Sequence, residues 1–254
     1  MLKERMKENT PVLGTMISEL PSHNLPRMMK LAGYEYVIVD CEHGMFDFSQ
    51  LSAMIAVGNA IGLPMLIRIP AIEREFITKC LDAGADGFLV PMVNTREQAE
   101  KLVELAKYSP LGKRGISTTR AHTGYCPPKL PEYMKRANER TVLLTQIETL
   151  EAVENAEQIA SVPGIDALIV GPSDLSDASG APGEINSPAM KENVKKVCEA
   201  ARKAGIVSGT VSGNLEYLSY CSDQGMRLFC VGSELNHLLN GAKTSIRNFR
   251  ERIG

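Results

Sequence analysis

The chain has 254 residues, 44% hydrophobic and 23% charged, a length at which one large core or two small ones can close, the α/β barrel included. Its 14 Pro, 21 Gly and evenly spread apolar residues exclude disordered, collagen-like and coiled-coil chains. With 28 Lys and Arg against 30 Asp and Glu the formal net charge is −2, so no global field attracts nucleic acid or an anionic membrane, and a small-molecule role is favoured.

Eight short apolar runs follow one another: LGTMI (13–17), YVIVD (36–40), MLIRI (65–69), GFLVPM (87–92), VLLTQI (142–147), DALIVG (166–171), IVSGTV (206–211) and RLFCVG (227–232). Continuous apolar runs are what strands buried on both faces need, the pattern of a parallel sheet covered by helices. Between them lie segments of helical periodicity, such as REFITKCLDAG after the third run and REQAEKLVELAKY after the fourth, with Gly84 and Gly205 as helix stops. Eight βα units without a linker predict a single (β/α)8 TIM barrel over residues 1–254, with a doubly wound open sheet as the alternative. The last segment, SELNHLLNGAKTSIRNFRERI, reads as an amphipathic closing helix with a basic end. Residues 108–136, rich in Pro and Gly, break the rhythm and are expected as a long loop on the active-site side of the barrel.

No run approaches the roughly 18–20 apolar residues of a membrane span, and the polar start MLKERMKENTP lacks a signal-peptide core, so the cytoplasm is expected. The six cysteines form no CxxC pair and no Cys/His cluster, which predicts reduced, mostly buried thiols, Cys41 among them.

In a barrel the reacting groups sit where strands end. The second run ends in Asp40, followed by Glu42 and His43; Arg68 lies near the end of the third; Gln146 and Glu148 close the fifth; the sixth runs into GPSDLS with Asp174. An arginine inside an apolar strand needs a carboxylate or a bound anion. Glu148 and Asp174 stand about one βα repeat apart and therefore side by side at the mouth, where an ion-pair network, a shared proton or an oxygen-liganded divalent cation relieves their repulsion. Hard oxygen ligands suit Mg2+ or Mn2+, with Co2+ as a third choice. His43, three residues after Asp40, reads either as a general base oriented by that carboxylate or as a loop histidine. His23 and His237 lack such company, whereas His122, in the long loop, is placed to touch substrate. GPSDLS (171–176), a Gly, a Pro and small polar residues just after a strand, lets backbone N–H groups converge on an anion such as a carboxylate. No lysine ends a strand, which disfavours an imine mechanism, and no GxGxxG, GxxxxGK[ST] or HExxH motif occurs.

Six stretches in order, YVIVDCEHG, LIRIP, LDAGADGFLVPMV, KRGISTTRA, TQIETLEAVEN and DALIVGPSDLS, resemble the HpcH/HpaI aldolase/citrate lyase family, specifically its metal-dependent class II pyruvate aldolases. The resemblance implies a barrel whose last helix is exchanged between subunits, in a dimer-based homo-oligomer such as a hexamer. It implies Glu148 and Asp174 as metal ligands, Arg68 as stabiliser of a pyruvate enolate, and His43 with Asp40 as the acid–base pair, a metal-bound hydroxide being the other candidate base. Gln146 and the backbone of Pro172, Ser173 and Asp174 would meet the substrate, while Glu42 and Asp82 would hold metal-bound water. The implied reaction cleaves a 4-hydroxy-2-oxo acid, such as a 4-hydroxy-2-oxo dioic acid or a 2-keto-3-deoxy sugar acid, to pyruvate and an aldehyde. Alternatives are an acyl-CoA lyase of the citrate-lyase-like branch and an oxaloacetate decarboxylase. After Arg120 and Ala121 the chain reads HTGYCPP, a departure from many relatives that bears on the aldehyde side of the pocket.

Overall fold

A computed structural model describes residues 1–253. Eight strands close a parallel barrel in sequence order: β1 (Val12–Ile17), β2 (Tyr36–Asp40), β3 (Met65–Arg68), β4 (Gly87–Val90), β5 (Val142–Ile147), β6 (Ala167–Val170), β7 (Val207–Ser212) and β8 (Leu228–Ser233), with β8 pairing back to β1. The predicted runs map onto all eight. The fourth stops earlier than expected because Pro91 has no N–H for the ladder and Met92 turns to φ +54°.

Around the barrel lie α1 (Leu2–Met6), α2 (Leu25–Leu31), α3 (Phe48–Ile61), α4 (Arg74–Ala83), α5 (Arg96–Ala106), α6 (Leu130–Arg140), α7 (Leu150–Glu154), α8 (Ala156–Ala160), α9 (Pro172–Ala178), α10 (Pro188–Ala204), α11 (Leu215–Asp223) and α12 (Glu234–Ile253). The expected stops Gly84 and Gly205 end α4 and α10 in the left-handed conformation, at φ +102° and +69°. Starts are fixed chemically too: Asp47 and Thr95 each accept from an N–H one turn on, while Gln50 and Gln98 reach back.

The two faces of each strand build two cores. Val37, Val39, Ile67, Phe88, Val90, Leu143, Leu168 and Val170 pack outward against the helices. Tyr36, Ile38, Leu66, Leu89, Val142, Leu144, Ala167 and Ile169 point inward, and Leu2 and Met6 of α1 join them at the floor. Gly14 leaves room for the Tyr36 ring, which a side chain there would overlap.

Residues 108–136 correct the expectation. Because α5 intervenes between β4 and this stretch, the excursion enters β5 from below and lies at the N-terminal end of the barrel, opposite the strand C-termini. Its last third is helical, as α6. Buried Lys107 anchors it by donating to the carbonyls of Asn138, at 2.8 Å, and Thr141. His122 is held there, its ring bonded to the Tyr133 hydroxyl and to the Ser117 carbonyl, so it does not reach the rim in its own chain.

Candidate active site

The inward register that fills the barrel continues to its upper rim. Tyr36 and Ile38 are followed by Asp40, Leu66 by Arg68, Leu144 by Gln146 and then Glu148, and Ala167 and Ile169 by Gly171. Alternation of period two therefore turns four polar side chains inward at the upper end of the barrel. Asp40 and Arg68 are register partners on adjacent strands.

That register decides what Asp40 does. Its carboxylate accepts from Arg68 Nε at 2.8 Å and Nη2 at 2.6 Å, a bidentate fork. It also accepts the backbone N–H groups of Glu42 (3.1 Å) and His43 (3.3 Å). Burial alone would raise this carboxyl, but the guanidinium and the two N–H groups outweigh it and hold the group below the usual carboxylate range. The expected Asp40–His43 side-chain pair is not formed. The His43 side chain is 72% exposed, and the carboxylate near its Nε2 is Glu42, at 3.9 Å. Glu42 also lies 3.2 Å from Arg68 Nη1. Burial raises the Glu42 carboxyl, and the charges of Asp40 and Asp174 add to this against Arg68 and His43.

Across the rim, Glu148 is buried, with Oε1 accepting the Met92 N–H at 2.7 Å and Oε2 accepting from the Gln146 amide. Burial pushes its pKa up to about 7, reinforced by Asp174 and Glu42. Met92 holds a left-handed backbone, a strained state for a non-glycine residue, where its N–H meets Glu148. Gln146 Oε1 is buried without a partner. At Gly171 a Cβ would come within 2.5 Å of Glu148 Oε2, so the missing side chain is the space beside the carboxylate. Gly171 also precedes α9, which opens with Pro172 and carries Asp174 in its first turn. The first helical bond runs from Leu175 N–H to the Gly171 carbonyl, which leaves the N–H groups of Ser173 and Asp174 ahead of it.

The structure thus brings together Asp40, Glu42, His43, Arg68, Gln146, Glu148 and the start of α9. It does not bring Asp82 to them. Asp82 lies in the last turn of α4, toward the N-terminal end, paired with Arg114 at 2.8 Å and 3.5 Å from His122 Nε2. His237 bonds Thr15 and Tyr34 through one ring nitrogen, both at 3.0 Å, consistent with a structural role. Cys41 is half-buried, its thiol pushed up to about 12 by burial and by Asp40. The Met92 N–H and the gap at Gly171 had no sequence signal, since any residue offers an N–H and a glycine after a strand reads as a turn. Among the described residues no cluster of three or more His, Cys, Asp or Glu side chains forms a closed metal cage. The donor set at Glu148 is an open one.

A closed eight-stranded parallel barrel with carboxylates and one arginine at its C-terminal rim is the architecture of a barrel enzyme. The chain belongs to the HpcH/HpaI aldolase/citrate lyase family, whose model matches residues 16–241. It is 32% identical to a 4-hydroxy-2-oxovalerate aldolase of Novosphingobium aromaticivorans over 99% of this chain and 95% of the relative. It is likewise 32% identical to a 5-keto-4-deoxy-D-glucarate aldolase of Klebsiella pneumoniae, over 82% of this chain and 80% of the relative. The crystal structure of an HpcH/HpaI aldolase from Desulfitobacterium hafniense superposes with a TM-score of 0.93 at 32% identity, covering 99% of this chain and 97% of that one.

Proposed function

We propose that the protein, over residues 1–254, is a class II aldolase that cleaves a 4-hydroxy-2-oxo acid into pyruvate and an aldehyde with the help of a divalent cation. The observation that carries the reading is the open oxygen site: Glu148, close enough to feel the charge of Asp174, lies beside the unpartnered Gln146 Oε1 at the gap Gly171 leaves. This set fits a hard cation, Mg2+ or Mn2+ with Co2+ as a third choice, and Glu148 and Asp174 would hold it. Such an ion supplies Lewis-acid polarisation of the 2-oxo group.

The chain's own residues account for the rest. The N–H groups of Ser173 and Asp174 receive the substrate carboxylate, and Gln146 lies beside the keto acid. Arg68, locked by Asp40, presents fixed positive charge where the enolate oxygen develops, so it needs no reorganisation as the bond breaks. Loss of the 4-hydroxyl proton turns C4 into the aldehyde carbonyl while the C3–C4 electron pair moves into the enolate. Protonation at C3 then yields pyruvate. Glu42 and His43 stand together on the turn after β2 and are the protein groups placed to take and return that proton.

The long helix α12 leaves Leu238, Leu239, Ile246, Phe249 and Ile253 exposed, which supports its exchange with a second copy in a dimer-based homo-oligomer, a hexamer being the expected form. Among the described residues no helix is long and apolar enough to cross a membrane.

The test is pyruvate release from a panel running from 2-keto-3-deoxy sugar acids to 4-hydroxy-2-oxo dioic acids, after chelator treatment and with Mg2+, Mn2+ or Co2+ restored. Release that returns with the metal supports the reading. Silence of the folded protein overturns it in favour of an acyl-CoA lyase or a barrel without catalysis.

A further inference from the structure

We propose that Glu234, the first residue of α12, is a positioning residue for the active site. Its carboxylate fixes the backbone after β1, and that backbone seats the turn carrying Asp40, Glu42 and His43. The proposal rests on the functional reading above.

Glu234 is 2% exposed, and among the described residues no ion pair reaches it. A buried carboxylate without a cation is costly unless hydrogen bonds replace its water. Here three consecutive backbone donors do so: Ser18 N–H to both oxygens at 3.0 and 2.9 Å, Glu19 N–H at 2.7 Å and Leu20 N–H at 3.1 Å. The Ser18 hydroxyl adds a further bond at 3.1 Å. Convergent N–H groups of this kind form an anion-binding concavity, filled here by a side chain of the same chain. Were Glu234 only a helix-end charge for α12, it would not need to order the segment after β1.

That segment in turn touches the active-site turn. A Cβ at Gly44 would overlap both the Ser18 carbonyl and the Asp40 carbonyl, so residue 44 is wedged between the loop that Glu234 holds and the strand end that holds Arg68. Glu42 and His43 immediately precede this wedge. The path therefore runs from Glu234 through Ser18 and Gly44 to the residues proposed to move the hydroxyl proton. It bypasses Gln146, Glu148 and Asp174 on the other side of the rim.

The experiment uses the full chain with Mn2+ supplied. Glu234→Gln keeps the shape of the side chain but turns one acceptor into a donor facing N–H groups. It is expected to lower kcat for pyruvate release about tenfold, with KM changed by less than about threefold, because small misplacements of reacting groups act on the chemical step. Amide hydrogen exchange, followed by mass spectrometry without substrate, is expected to quicken at residues 41–44 as well as at 18–20. Wild-type kcat, or faster exchange confined to 18–20 and the start of α12, overturns the proposal. Should Glu234→Gln not fold, Ser18→Ala decides, with exchange at 41–44 faster by about twofold to threefold on loss of one hydrogen bond supporting the proposal and unchanged exchange there overturning it. The exchange readout is independent of turnover, so a wild-type protein silent on every substrate would overturn the aldolase reading without touching this result.

Discussion

The two ends of the barrel bury ionisable groups in opposite ways. At the N-terminal end the charges mostly find partners within the chain, Arg114 Nε being a buried exception. Asp86 accepts Arg140 Nε and the Met65 N–H, both at 2.9 Å, Asp166 pairs with Lys3 at 2.8 Å and accepts the Leu143 N–H, and Lys107 donates to two carbonyls. At the C-terminal rim capacity is left over: Glu148 is driven toward its neutral form, Glu42 is raised, and Gln146 Oε1 has no partner. Asp86 and Asp166, which staple the strand starts, are met by cations and backbone N–H groups of the chain, whereas Glu148 at the rim meets two N–H donors and, among the described residues, no cation. What differs between the ends is the kind of group left unmet: a guanidinium N–H of Arg114 at one, and the Gln146 oxygen beside raised carboxylates at the other.

Substitutions at the two ends should fail differently. Glu148→Ala removes a proposed cation ligand and is expected to cut metal-dependent pyruvate release by at least ~10³-fold while the protein stays folded. Full activity of this variant in chelator would break the comparison outright. Arg68→Lys cannot reproduce the fork to Asp40 and should cost on the order of 10²-fold in kcat, against near-normal turnover if Arg68 is structural. Asp86→Ala, at the opposite end, should instead lower unfolding stability by about 1–3 kcal/mol in denaturant titration with KM unchanged, since it leaves the buried Met65 N–H without its acceptor.

The rim also carries a pH signature. Glu148 is raised from 4.5 to about 7 in the folded protein, so between those values the folded chain holds a proton the unfolded chain has lost. Its contribution to stability is complete below about pH 4.5 and disappears as the pH rises through 7. In the metal-stripped protein Glu148→Gln should therefore be more stable than wild type at pH 8, by about 1–2 kcal/mol, with the gain fading toward pH 5, as read by thermal melts. The smallest expected effect is chemical. Iodoacetamide should label exposed Cys126 and spare Cys41, whose thiol is held near 12, and rapid labelling of Cys41 would mean a more open turn than described.

The strands were legible because both faces are buried, and the rim residues because the inward register simply runs on from Tyr36 to Asp40 and from Leu144 to Glu148. What proximity in sequence got wrong was partnership. Three residues separate Asp40 from His43, but the parallel register sets Asp40 beside Arg68, and a bidentate guanidinium outcompetes an imidazole on an exposed turn. Composition marked residues 108–136 as irregular without saying at which end they lie, which depends on α5 having already carried the chain back down. Asp82 matched a family carboxylate by motif, yet the direction of α4 carries it away from its own chain's rim to Arg114. The donors around Glu148 and Glu234 are mostly backbone N–H groups, which no residue type advertises.

The gap at Gly171 constrains how such a protein diversifies. Every single-base change that alters the meaning of a glycine codon adds a Cβ or stops the chain, and here any Cβ intrudes on Glu148. Drift at this position is a mutational dead end for as long as Glu148 keeps its place, so change in descendants of this sequence would have to arise on the surrounding loops, leaving the contact between residues 171 and 148 as the inherited part.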